Sequence, residues 1–124
     1  MQWIKQVFST DIGKQAESLA RQYLQQQGLQ FVVANYRCRA GEIDLIMRHA
    51  DCLVFIEVKY RRNTQHGKAV ENFHAAKRRK FVAAIAHYLH TQGINPTALA
   101  HRIDVVGIEV NARGHAEYTW LQNV

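Results

Sequence analysis

The sequence predicts an α/β fold: a mixed β-sheet flanked by helices, with its elements in the order α-β-β-β-α-β-β. Three observations carry this expectation. Two stretches place apolar residues at helical spacing, three strand-like runs joined by very short turns lie between them, and two further strand-like runs follow the second helical stretch. The 124 residues, 48% hydrophobic and 21% charged, suit one globular domain over positions 1–124 that needs neither a disulfide nor a structural metal.

The first helix is expected to start after a cap at Thr10 or Asp11 and to stop at Gly28. Ala16, Leu19, Ala20, Tyr23 and Leu24 recur at i, i+3, i+4, i+7 and i+8 and form its apolar stripe. Strands are predicted over Phe31 to Arg39, Glu42 to Arg48 and Cys52 to Tyr60, with turns at Ala40-Gly41 and around His49 to Asp51. Connections this short make the three strands antiparallel neighbours. A loop from Arg61 to Lys68 then leads to a second helix over about Ala69 to His90, with Phe81, Ile85, Tyr88 and Leu89 on its apolar side. Past a turn at Gly93-Ile94-Asn95-Pro96, a strand over Arg102 to Val110 and a weaker one around Tyr118 to Leu121 complete the order.

Bulk features narrow the function classes. Cys38 and Cys52 stand far apart, without a second cysteine at metal-ligand or redox spacing, which fits a reduced, cytoplasmic protein. Met1 to Ser9 lacks the apolar core of a signal peptide, and no run reaches the length of a membrane span. Net charge is +6, and eight of the sixteen Lys and Arg residues lie between Lys59 and Lys80 against one acid, Glu71. Such a concentration suits a polyanion such as nucleic acid; it equally suits a solvated charge run beside a helix.

Strand alternation singles out a possible reaction centre. In Cys52 to Tyr60, Val54, Ile56 and Val58 share one face, and Phe55, Glu57 and Lys59 the other. In the preceding strand Glu42, Asp44 and Ile46 share a face, opposite Ile43, Leu45 and Met47, so an acid sits mid-strand among apolar residues. Aspartate is disfavoured there, and burying its charge is costly without compensation. Pairing around the His49 to Asp51 turn can bring Asp44 beside Glu57, with Lys59 near. Adjacent carboxylates recruit a cation, and a hard divalent ion takes oxygen ligands of this kind. A half-exposed sheet face on which the acids pair with Lys59 or arginines is the plainer account of each residue taken alone.

Gly41-Glu42-Ile43-Asp44-Leu45-Ile46, then Phe55-Ile56-Glu57-Val58-Lys59, preceded by Glu17 in a first helix, resemble the PD-(D/E)xK nuclease pattern. More specifically the chain is similar to the small bacterial YraN family of endonuclease-like proteins, and more distantly to archaeal Holliday-junction resolvases. The likeness runs from Gly13 to Trp120. It implies a restriction-endonuclease-like core and cleavage of DNA phosphodiesters, including branched or structured DNA, with Mg²⁺ or Mn²⁺. It also implies that Asp44, Glu57 and the Val58 carbonyl hold the metal, that Lys59 positions the attacking water, and that Glu17 adds a helix carboxylate. Related nucleases often act as dimers, so the resemblance leaves room for a homodimer.

Other residues rank second. Arg61 and Arg62, after the catalytic strand, are candidate phosphate contacts; so are Lys77 and Arg78, for which snorkelling at the core rim is the alternative. Glu42 could add a ligand or pair with Arg39. Arg102 and Asp104 share a strand face and suit a structural ion pair, Trp3 and Trp120 suit packing, and His87 and His90 map to an outer helix face where zinc is not expected. Besides a nuclease, two further classes fit: a non-catalytic nucleic-acid-binding module, and a protein-interaction domain with an acidic partner.

Overall fold

Ala16, Ala20 and Leu24 recur every fourth residue along the helix α1 (Ser9–Gln26), and all three are buried against the sheet, with Leu19 and Tyr23 flanking them. The helix ends because Gly28 adopts a positive φ of 99°, which a glycine tolerates at no steric cost. Gly28 N–H then donates to Gln25 and Leu29 N–H to Leu24, closing the last turn while Leu29 packs beside Leu24 in the core. In this computed structural model residues 9–62 and 75–124 are described. The expectations for Trp3, for the loop from 63 to Lys68 and for the first six residues of the second helix lie outside them.

Strands β1 (Gln30–Cys38), β2 (Gly41–His49), β3 (Cys52–Arg62), β4 (His101–Val110) and β5 (Ala116–Leu121) form one sheet in chain order. β1, β2 and β3 pair antiparallel, as their short turns require; β3 and β4 are parallel, and β5 returns antiparallel on β4. A parallel pair needs a crossover, and α2 (Ala75–Thr91) lies between β3 and β4 in the chain. The observed sheet is therefore mixed, in the predicted order of elements.

Two cores lie on opposite sides of the sheet. Leu45, Met47, Val54, Ile56, Val106 and Ile108 face α1; Ile46, Leu53 and Phe55 face Phe81, Ala84, Ile85, Tyr88 and Leu89 of α2. Both faces of the central strands are covered, which explains the near-continuous apolar run from Leu53 to Ile56. Burial of these side chains, roughly 1.5–3 kcal/mol each before entropy is counted, is what holds the layers together.

Three expectations are corrected. α1 already includes Ser9, Thr10 and Asp11, so neither Thr10 nor Asp11 caps its start. Ile43 packs with Ile46 on the α2 side, not with Leu45 and Met47, so the alternation of β2 breaks at Asp44. Arg61 and Arg62 are not in a loop: β3 continues through them, opposite Glu109 and Val110 of β4.

Candidate active site

The break at Asp44 builds the site. Pairing of β2 with β3 runs from His49↔Cys52 to Leu45↔Ile56, so the next step would set Asp44 opposite Glu57. On the other side the register with β1 sets Asn35 opposite Asp44, and Asn35 has a positive φ of 55°, strained for a residue with a side chain. Asp44 thus leaves the regular pleat. Its Oδ2 accepts the Val58 N–H at 2.7 Å, a carboxylate standing where a ladder bond would be. A strand residue's N–H and C=O point towards the same neighbour, so the Val58 carbonyl faces the same gap.

Around this gap the fold gathers Glu17 from α1, Asp44 from β2, Glu57 and Lys59 from β3, and Lys77 from α2. Lys77 Nζ lies 3.3 Å from Glu57 Oε1, and Glu57 is only 7% exposed. Glu17 comes within side-chain interaction range of Asn35 and Asp44. Lys59 lies beside Lys77 and within electrostatic reach of Glu57 and Asp44. A cleft of about 350 Å³ opens here between the β1–β2 turn and α2, lined by Gly41, Glu42, Glu57, Lys77, Lys80 and Phe81.

Crowding shifts the ionisation of these groups. Burial, then the charge of Glu57, raises the Asp44 carboxyl to about 8. Burial likewise raises Glu17, against the lowering effect of Asn35 and Asp44. Lys59 is lowered to about 8, first by burial and then by Lys77, while Glu57 and Asp44 oppose the fall. Lys77 is raised by its contacts with Lys59 and Glu57, although burial, the largest influence, acts the other way. The site crowds three carboxyls against two lysines, and burial disfavours the charged forms of Asp44, Glu17 and Lys59.

Such a donor set suits a hard divalent cation. Among the described residues no three His, Cys, Asp or Glu side chains form a ready-made cage. Two carboxylates and a backbone carbonyl, with the remaining positions left to water, are nevertheless how Mg²⁺ is often held. The Lys77 ammonium resting on Glu57 is itself a stand-in cation at that position.

Predicted site residues separate into groups. Asp44, Glu57, Lys59, Glu17 and Lys77 come together. Arg78 is directed elsewhere, its Nη1 donating to the Val124 carbonyl at 2.8 Å. Arg61 and Arg62 extend β3 past Tyr60. Glu42 pairs with Arg37, its register partner on β1, at 3.4 Å and not with Arg39. The Arg102–Asp104 pair forms as expected at 3.0 Å, and Trp120 Nε1 also donates to Asp104. His87 and His90 are exposed, and His87 is engaged by the Tyr36 hydroxyl.

Sequence reasoning missed Asn35 and the part played by Gly41. Asn at an interruption of a strand pattern is the signal that pointed to the first, since Asn tolerates a left-handed backbone. The second is a close approach: a Cβ on Gly41 would lie 2.7 Å from the Lys80 carbonyl oxygen, so the missing side chain lets α2 settle over the cleft.

Residues 16–108 match the profile of the family described as "Uncharacterised protein family UPF0102". Relatives named UPF0102 proteins cover nearly the whole chain. One from Vibrio vulnificus (strain YJ016) is 46% identical over 112 residues, 90% of this chain and 89% of its own. Another, from Colwellia psychrerythraea, is 44% identical over 119 residues, 96% of this chain and 92% of its own. A third, from Nitrosococcus oceani, is 45% identical over 113 residues, 91% and 90% of the two chains. With three-quarters of its length inside the family profile and relatives of this closeness on both sides of the site, the chain belongs to the UPF0102 family.

Proposed function

We propose that this protein is a divalent-metal-dependent nuclease that hydrolyses DNA phosphodiester bonds, branched or structured DNA included, on a restriction-endonuclease-like core of the YraN endonuclease-like type. One observation supports the reading above the others: Asp44 and Glu57 crowd at the point where the β2–β3 ladder opens, with Lys59 beside them. Isolated surface acids would not be driven to share a proton.

Asp44, Glu57 and the Val58 carbonyl would hold Mg²⁺ or Mn²⁺, with Glu17 close enough to orient Asp44. Bound there, the ion supplies Lewis-acid polarisation of a phosphodiester oxygen and of water. The Val58 N–H fixes the Asp44 carboxylate, so the ligand is oriented before substrate arrives. Lys59 keeps its proton at neutral pH, being lowered to about 8, and donates a hydrogen bond to the attacking water or to the charge that develops on the phosphate. Lys77 lines the cleft and Arg61 and Arg62 follow on from the site along β3, where they would meet phosphates. Arg78 could join them only by giving up Val124.

The test is incubation of linear, single-stranded and four-way-junction DNA with the protein in Mg²⁺, Mn²⁺ and EDTA. Cleavage is expected with either metal and not in EDTA. Lys59→Ala and Glu57→Gln should each lower the rate by roughly 10²-fold or more, with DNA affinity largely retained. Equal cleavage by the variants and wild type would remove these residues from the mechanism. A second reading has its own support, since Lys77 already balances Glu57: a nucleic-acid-binding module without turnover, which binds DNA in a salt-dependent way and takes up no Mn²⁺.

A further inference from the structure

Lys77 occupies an unusual position for a helix-surface lysine. Its Nζ sits 3.3 Å from Glu57 Oε1, yet the two side chains differ widely in exposure, 47% for Lys77 against 9% for Glu57. One end of the pair belongs to the sheet interior; the other reaches it from solvent across the cleft. The helix that carries Lys77 is fixed on the sheet by its buried Phe81, Ile85 and Leu89, whereas the lysine stem beyond its Cα is flexible. The ammonium can leave Glu57 without moving the helix.

What keeps it there is the cost of an uncompensated buried carboxylate. Asp44 stands beside Glu57 and Glu17 beside Asp44, so no neighbouring carboxyl can balance the Glu57 charge. Any other cation that satisfies Glu57 releases Lys77 from this duty. A divalent ion would do so with twice the charge, on the same carboxylate whose Oε1 Lys77 covers.

We propose that Lys77 is an internal counter-cation of the site, seated on Glu57 in the metal-free protein and displaced from it when a divalent ion binds. This rests on the metal-site reading above. Lys77 is therefore a competitor of the ion as well as a cleft residue. It keeps the fold stable while the site is empty of metal, and it weakens the affinity for the ion by the work needed to move it. Lys80 provides the contrast: it lines the same cleft one turn away on α2, where the structure records no ion pair with Glu57.

Calorimetric titration of Mn²⁺ into the DNA-free protein tests this, comparing wild type with Lys77→Gln and Lys80→Gln. Removing the seated ammonium should tighten Mn²⁺ binding about tenfold, whereas removing a charge one turn away should change it by about twofold or less. The rise in Tm on adding saturating Mn²⁺ should likewise be larger for Lys77→Gln than for wild type. Should Lys77→Gln fold poorly, Lys77→Met keeps the apolar stem and repeats the comparison. If both lysine variants tighten binding equally, the effect is the general field of the cleft and the proposal falls. It falls also if Lys77→Gln binds Mn²⁺ no better than wild type. If neither wild type nor variant binds Mn²⁺, the metal site itself is refuted and the counter-cation with it.

Discussion

Two acids on neighbouring parts of one sheet, Asp104 fully buried and Asp44 half-buried, have opposite surroundings. Asp104, on β4, is fully buried and accepts from Arg102 Nε and Nη2, Trp120 Nε1 and the Asn123 N–H, at 2.9 to 3.2 Å. Arg102 Nη2 meets His49 Nδ1 as well, so the network ties the β2–β3 turn, β4 and the C-terminal residues together. Asp44 has one N–H from Val58 and two carboxylates for neighbours. The first acid is surrounded by donors and serves the fold. The second stands between two carboxyls, with Lys59 and Lys77 only within electrostatic reach, an arrangement that gains from an added cation. Compensation, not burial, is what distinguishes a structural acid from a candidate catalytic one.

The sharpest way to break this comparison is to delete the well-compensated acid. Asp104→Ala should cost about 2–4 kcal/mol in urea unfolding, because it takes the carboxylate from the half-buried Arg102 guanidinium and removes the buried acceptor of Trp120 and the Asn123 N–H. A loss below about 1 kcal/mol would mean the network is dispensable. Next in size is the close approach that seats α2 over the cleft. Gly41→Ala should destabilise by about 1–3 kcal/mol, since the Lys80 carbonyl is backbone and cannot step aside. The measurement is again urea unfolding, and a neutral result would show that the helix is free to shift.

The smallest effect has the opposite sign. Asp44 titrates near 8 in the fold and near 3.8 unfolded, burial being the main cause. Folding therefore takes up a proton between about pH 4 and pH 8. A penalty absent below that window grows as pH rises through it and is complete above it. Asp44→Asn keeps an oxygen for Val58 and removes the charge. In EDTA its Tm should exceed that of wild type by roughly 3 °C at pH 8, with the gap closing towards pH 5. Equal values at both pH would show that Asp44 is no worse compensated than Asp104.

Much of this could be read along the chain. Ala16, Ala20 and Leu24, or Phe81, Ile85 and Tyr88, announce their helices because a helix repeats every 3.6 residues and only one stripe can be buried. Gly28 and Gly93 mark where those helices stop, both at positive φ. Asp44, Glu57 and Lys59 were legible as a group because strand alternation and a short turn limit which residues can meet. The side on which Ile43 packs was not legible, since the break at Asp44 depends on Asn35 in another strand. Nor was the choice of Arg37 over Arg39 for Glu42, which follows from register across the hairpin.

Period and turn chemistry act between neighbours in sequence, so elements, their order and the antiparallel hairpins were determined by the sequence alone. Partnerships that cross the molecule were decided by tertiary structure: Lys77 on Glu57, Arg78 on Val124, Gly41 against Lys80. The reason is physical. A local rule specifies which way a side chain leaves its own backbone, but the charge it meets there belongs to whichever distant element packing brings within a few ångströms, and that is known only once the cores have closed.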